Sequence, residues 1–487
     1  MTQQGVRWTA DQVLALAPDA PSRKAGSKLG VAGPWSEAGS SDEGTVWGLC
    51  KGSGSKPYQT VVDIADSAGP AYKCSCPSRK FPCKHALGLL LVWAGADGTV
   101  PTGGEPPAWA EEWLATRRKR AETKRSSATA PTAAASADPE AARKRAEKRA
   151  ERITAGVTEL EQRLSDLLRG GTASAEQSGY GLWEETAARM VDAQAPGLAA
   201  RVRELGAIPS SGSGWPVRLL EECALLHLLD QGWLHRDRLP AGLAATVRSR
   251  VGLPSRPEGP PVRDHWLVLA QYDTADSRLT TRRIWLYGTD SGRTALLLSY
   301  GAAGRAPALA LPVGLVLDAE VTGYPGAGQL RADLGEQFTA PRPTTQRPPG
   351  VRPAEAAARY GAALKDDPWL ESWPVTLAEV IPTRTQDSWQ LADPREGSAL
   401  PLAPSAVSRP GLWRLVALSG GAPLTVFGEC GHQGFTPLAA WPKNSRAEGS
   451  EDKDSEDKDS EDKDSEDKDS GDKVSGEKNS GETVSLC

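Results

Sequence analysis

Cys74-x-Cys76, six residues, then Cys83-x-His85 place three cysteines and a histidine within twelve residues, in a chain with only seven cysteines and five histidines. Thiolates and imidazole are the donors Zn²⁺ prefers, four of them in a tetrahedron, with sulfur at about 2.3 Å and nitrogen at about 2.0–2.1 Å. On a strand, side chains repeat every two residues, so Cys74 and Cys76 share a face. The segment from Pro77 to Pro82 is long enough to turn the chain back, and Cys83 and His85 then open a helix. Three thiolates on one Zn²⁺ leave a net charge of −1, which Lys73, Arg79, Lys80 and Lys84 overcompensate. Two blander readings compete. Buried cysteines often serve as small hydrophobes. A disulfide would leave one cysteine over, and a Cys74–Cys76 loop is too short to close without strain. The complete ligand set favours zinc. Four protein ligands leave no open position for water, so the expected role is structural.

This spacing, C-x-C-x(6)-C-x-H, resembles the SWIM-type zinc finger over roughly residues 45–95. The resemblance implies a ββα fold with Cys74, Cys76, Cys83 and His85 as ligands. It also implies a DNA-binding or protein-interaction module rather than a catalyst. The N-terminal stretch RWTADQVLALAPD is similar to bacterial SWIM-finger proteins. In such genomes these tend to neighbour MoxR-type AAA ATPases and von Willebrand factor A proteins, which are therefore possible protein partners by resemblance alone.

The elements around the cluster follow from periodicity. A short helix is expected over 11–17, stopped by Pro18. Strands are expected over 45–50, 58–65 and 71–76. The run 84–94 is apolar nearly all round and reads as a buried helix. The whole forms an α+β multidomain chain. A finger domain (1–100) is followed by a basic, partly disordered linker (101–150) and a helical bundle (151–255). A β-rich region (262–442) and a disordered acidic tail (443–487) complete it. A helix is expected over 140–168, running out of the basic stretch, and bundle helices over 184–193, 198–205, 217–229 and 243–251. Strands are expected over 266–270, 283–287, 294–300, 316–322, 375–381, 411–418 and 423–427. Four copies of Glu-Asp-Lys-Asp-Ser from Glu451 to Ser470 can bury nothing and cannot repay their ordering entropy.

Charge is uneven. From Lys443 onward there are eight basic and sixteen acidic side chains, so residues 1–442 carry about +3 of a total of −5. Arg117–Arg152 holds twelve basic and five acidic side chains. Arg117, Arg118, Lys119 and Arg120 there, with Lys73, Arg79, Lys80 and Lys84 of the finger, are the candidate nucleic-acid contacts, and DNA binding is the leading expectation. A protein adaptor with purely structural zinc is the alternative. No membrane span and no basic n-region with an apolar h-region is evident, so a cytoplasmic location is expected. No G-x-S-x-G or H-E-x-x-H occurs, and Gly52–Lys56 lacks phosphate-loop spacing, so neither an enzyme nor a small-molecule substrate is expected. Cys223 with His227 reads as core packing on a helix. Cys430-Gly-His432 reads as a turn cysteine beside an exposed histidine. Cys487 reads as incidental on a loose end.

Overall fold

The computed structural model describes residues 7–52, 54–65, 69–129, 139–276, 279–442 and 483–487. The disorder expected around 126–139 and over most of 443–487 therefore falls largely outside the described residues. The chain divides into two compact units, Met1–Pro343 with Ala357–Trp373, and Thr344–Ala356 with Pro374–Cys487.

In the first unit, α1 (Ala10–Leu14) opens with a capping box, where the Thr9 hydroxyl accepts from the Gln12 amide and the Gln12 side chain accepts from the Thr9 amide. Then come α2 (Ala20–Ser27) and an antiparallel sheet of β1 (Trp35–Ser40), β2 (Thr45–Cys50), β3 (Tyr58–Asp63) and β4 (Ala71–Cys74) in sequential order. The helix α3 (Lys84–Ala94) buries nearly its whole circumference, including Ala86, Leu87, Leu89, Leu90 and Trp93. Thus β3, β4 and α3 form the expected ββα unit, and β1 and β2 extend its sheet.

The expected linker over 101–150 is instead largely helical. Here α4 (Ala108–Thr129) packs Trp109, Ala110 and Trp113 against Trp47 and Val61 of β2 and β3. The physical reason is the sheet's second face, which α3 leaves uncovered. Trp109, Ala110 and Trp113 form the narrow apolar stripe that closes it, and the neighbouring arginines obscure that stripe in the sequence.

The bundle begins at Pro139 rather than at residue 151. It comprises α5 (Pro139–Gly170), α6 (Ala173–Asp192), α7 (Pro196–Ala207), α8 (Trp215–Leu234) and α9 (Ala241–Val251). Ile153, Val157, Leu160 and Leu164 recur at helical spacing on α5 and meet Met190, Val202, Leu226 and Trp233 in one core.

Next are β5 (Val262–Ala275), β6 (Leu279–Gly288), β7 (Thr294–Ala302), β8 (Leu315–Gly323), β9 (Arg331–Gln337) and β10 (Arg342–Pro343). β9 runs parallel to β7 and antiparallel to β8, while β8 pairs β5. That closes a five-stranded ring, β5-β6-β7-β9-β8, with the connectivity of the OB-type Greek-key barrel. Barrel residues Trp266, Val268, Leu286 and Leu317 share one hydrophobic cluster with Val13, Leu87 and Leu90 of the finger. The Trp8 indole donates to the Pro341 carbonyl at 3.0 Å, and the Gln12 side-chain Nε2 donates to the Val313 carbonyl at 3.1 Å. The finger therefore shares its main core with the barrel, and the β-rich region is two structures rather than one.

The boundary between units falls within α10 (Pro353–Ala363). The second unit is built on a six-stranded sheet. Its strands are β11 (Ser372–Arg384), β12 (Trp389–Ala392), β13 (Ala399–Pro401), β14 (Leu424–Gly431), β15 (Gly434–Trp441) and β16 (Val484–Ser485), in the order β13-β12-β11-β14-β15-β16. Two short helices, α11 (Pro404–Val407) and α12 (Pro410–Ser419), pack on β15. The strand expected over 411–418 is α12. Leu412, Leu415 and Ser419 bury one helical face, Pro410 opens it, and Gly420 closes it at φ 52°. The last residues, expected in the loose tail, supply the edge strand β16.

Candidate metal centre

β4 ends at Cys74, and Cys76 lies in the bend that follows rather than on the strand. The face-sharing argument therefore holds for Cys74 alone. The bend still carries Cys76 to the same point. Cys83 is the N-cap residue of α3, with φ −76° and ψ 167°, and its thiol caps nothing, which leaves it free to turn inward. His85 sits one turn position further on, 5% exposed. The donor atoms of Cys74, Cys76, Cys83 and His85 all lie within 4.8 Å of one another.

The proton chemistry of the cluster favours a cation. The hydrogen bond that Cys74 makes to Cys83, with burial added, pushes the Cys74 thiol up to about 12. The same bond holds Cys83 below the usual thiol value, and burial raises Cys76. With protons alone, the pocket tolerates one thiolate and resists the other two. A divalent cation removes that resistance by taking the place of the thiol protons. Three sulfurs and one imidazole are a complete tetrahedral set for zinc, and when bound the ion would cross-link β4, the bend and the start of α3.

Two neighbours were not singled out from the sequence. The Thr60 hydroxyl lies 3.3 Å from the Cys74 sulfur, and Thr60 pairs directly with Cys74 across β3 and β4. The Tyr58 ring stacks on His85 with centroids 4.7 Å apart. Period-two spacing puts 58 and 60 on the ligand face, so strand alternation was the available signal. Such partners orient the ligands.

The chain carries a SWIM zinc finger and a SWIM-associated four-helix bundle domain. The SWIM zinc finger family matches residues 61–94, which begin within β3 and end with α3. The SWIM-associated four-helix bundle domain matches residues 148–251, from within α5 to the end of α9. No curated protein and no solved structure matches the chain. Both SWIM matches lie in the first unit, and α1, α2, β1 and β2 precede the matched finger.

The expected cations divide. Lys73, Arg79, Lys80 and Lys84 are all exposed on the finger. Lys80 pairs with Asp19 at 2.5 Å. Arg117 lies over the Trp113 ring at 5.3 Å, and Arg118 pairs with Glu111 at 3.0 Å. Lys119 is exposed, and the Arg120 side chain lies outside the described residues. Lys73 stands opposite Val61, which packs under α4. Finger and helix cations therefore belong to one structure rather than to a finger and a free linker.

Other clusters resolve as structure. Asp264, His265 and Asp290 gather closely, but the Asp264 carboxylate already accepts from the backbone amides of His265, Asp290 and Ser291. Cys223 is a core thiol as expected, whereas His227 is exposed and pairs with Glu161 at 2.7 Å. Cys430 is a buried strand residue rather than a turn residue, and His432 sits exposed in the hairpin turn. Among the described residues no helix is long and apolar enough to cross a membrane.

Proposed function

We propose that this chain is a non-catalytic DNA-binding protein in which zinc holds the finger's loop in a binding shape. The observation that carries this reading is Phe81. It is 48% exposed in the loop between Cys76 and Cys83, so both ends of its loop are tied to metal ligands. Arg79, Lys80 and Lys84 flank it, all exposed. An aromatic ring fixed among cations suits a base stacked on the ring with its phosphates on the side chains, an arrangement best met by single strands. Each phosphate neutralised would add about −0.7 to the slope of log affinity against log salt for a single strand.

The test is fluorescence anisotropy of the full chain with labelled single-stranded and duplex DNA at two salt concentrations. Binding should weaken steeply with salt. Phe81→Ala should cost about 1–3 kcal/mol on single strands. Salt-independent binding, or none by the zinc-loaded chain, would sink the reading.

A protein adaptor is a second reading with its own observation. On α8, Val217, Leu220 and Leu228 are 61%, 51% and 44% exposed. With exposed Ala224 they form one apolar stripe at helical spacing. A partner, sought first among MoxR-type AAA ATPases and von Willebrand factor A proteins given the family resemblance, would be held in a salt-tolerant way. Leu220→Asp would release it while sparing DNA binding.

A further inference from the structure

The edge strand β16 reaches its place by an unusual route. Adjacent antiparallel strands are commonly joined by two to five residues, and β14 and β15 are joined by a tight hairpin. Between Trp441 and Thr483 the chain instead runs through residues 442–482, which include the four Glu-Asp-Lys-Asp-Ser copies. A strand returned after so long a polar stretch is held by what it touches, not by its turn.

What it touches is specific. Ser485 pairs with Ala439 and Val484 with Ala440. The Leu486 amide donates to the Leu438 carbonyl at 2.9 Å. The Trp441 indole donates to the Thr483 hydroxyl at 2.9 Å, and the Arg414 guanidinium to the Ser485 carbonyl at 3.0 Å. Leu486 is 4% exposed, although it is the next-to-last residue of the sequence. Gly411 in the first turn of α12 is the clearest sign of a fitted surface. A Cβ there would overlap the Leu486 carbonyl oxygen, and its three nearest atoms all belong to Leu486. The helix gives up the better helix former at this position where the segment passes.

We propose that the edge of β15 that β16 covers and the first turns of α12 form a peptide-recognition groove, and that Thr483–Cys487 is its ligand, exchanged between copies of this chain. The recognition is strand addition. Main-chain pairing, with the Arg414 donor to the Ser485 carbonyl, supplies affinity, and the Leu486 pocket with the Trp441 donor to the Thr483 hydroxyl supplies selectivity. The occupant in exchange is the same segment of a second copy, because that is the sequence the groove already fits. The intervening 41 residues could span at most about 140 Å when fully extended, enough to reach a neighbouring molecule. Exchange of an identical element is a low-cost route to association.

Three reagents test this. A chain ending at Ser480 is titrated with a labelled peptide of residues 481–487. It should bind saturably, at least tenfold more tightly than it binds the same peptide carrying Leu486→Asp, and the intact chain should bind at least tenfold more weakly because its groove is filled. If the shortened chain fails to fold by circular dichroism, the full chain carrying Leu486→Asp serves as the open receptor. Equal binding of the two peptides would overturn the groove. The Gly411→Ala chain, whose own groove is blocked, is then mixed with the open receptor. A 1:1 complex in analytical ultracentrifugation supports exchange between copies, and two unassociated species would overturn it.

Discussion

The finger and the bundle each bury a group of ionisable side chains, and they neutralise them in different ways. In the finger, Cys74, Cys76, Cys83 and His85 converge, and a metal ion would replace the protons that the sulfurs hold. In the bundle, Asp230 is completely buried, and neither carboxylate oxygen has a hydrogen-bond partner if it is ionised. Burial first, and then the charge and hydrogen bond of Glu161, raise its pKa to about 9. Asp230 therefore keeps its proton and donates it towards Glu161, which also accepts from His227 at 2.7 Å and Gln231 at 2.8 Å. One cluster calls for a cation and the other for a proton. The difference follows from the donors, since three thiols and an imidazole can share one divalent ion, whereas two carboxyls can share one hydrogen.

Breaking the finger should have the largest effect. Cys83→Ser removes a ligand while leaving a good N-cap residue at the start of α3, so a loss of stability reports the metal site and not the cap. Because the finger shares its core with the barrel, unfolding should spread beyond the finger. The expected loss is about 3 kcal/mol or more, read as a fall in thermal midpoint that a chelator reproduces in the unaltered chain. Equal midpoints with and without chelator would separate metal from stability.

The bundle should respond to pH in a defined direction. The folded pKa of Asp230 lies far above its ordinary value of 3.8. Below about pH 4 both folded and unfolded states carry the proton, and the contribution is complete. As pH rises the unfolded carboxyl ionises first, so stability falls progressively until about pH 9. Asp230→Asn should flatten that fall and gain about 1–3 kcal/mol at alkaline pH. Denaturant midpoints at pH 5, 7 and 9 would show it, and an unchanged pH profile would mean that Asp230 is not protonated.

Smaller effects sharpen the comparison. Thr60→Val removes the hydroxyl beside Cys74 and should weaken metal affinity about tenfold, the lower end for such partners, measured by competition with a chromophoric chelator. Arg118→Ala breaks an exposed pair with Glu111 and should change stability by less than about 0.5 kcal/mol. A larger change would mean that α4 holds the finger through its charges rather than through Trp109 and Trp113.

The two clusters also differ in how far the sequence reveals them. The finger's ligands lie within twelve residues, so spacing alone brought all four together. Glu161 and His227 are 66 residues apart, and nothing local joins them. The helices of the bundle were legible because Val157, Leu160 and Leu164 keep one period over a long run. The helix α12 was not, because ten residues that start Pro-Gly show too few turns to settle a period. The closed barrel was hidden for a different reason. It depends on β9, a short strand of largely polar residues, which pairs with β7 and β8. The return of Thr483–Cys487 to β15 was masked by the repeat before it, whose composition says nothing about the five residues that follow.

The most direct measurement is zinc release on thiol modification in the intact chain. A mercurial reagent is added stepwise while a chromophoric chelator reports free zinc, with Cys83→Ser as the comparison. One zinc per chain should appear as Cys74, Cys76 and Cys83 react, and the variant should arrive with none. A fully folded chain that contains no zinc, or a variant that retains it, would contradict the account.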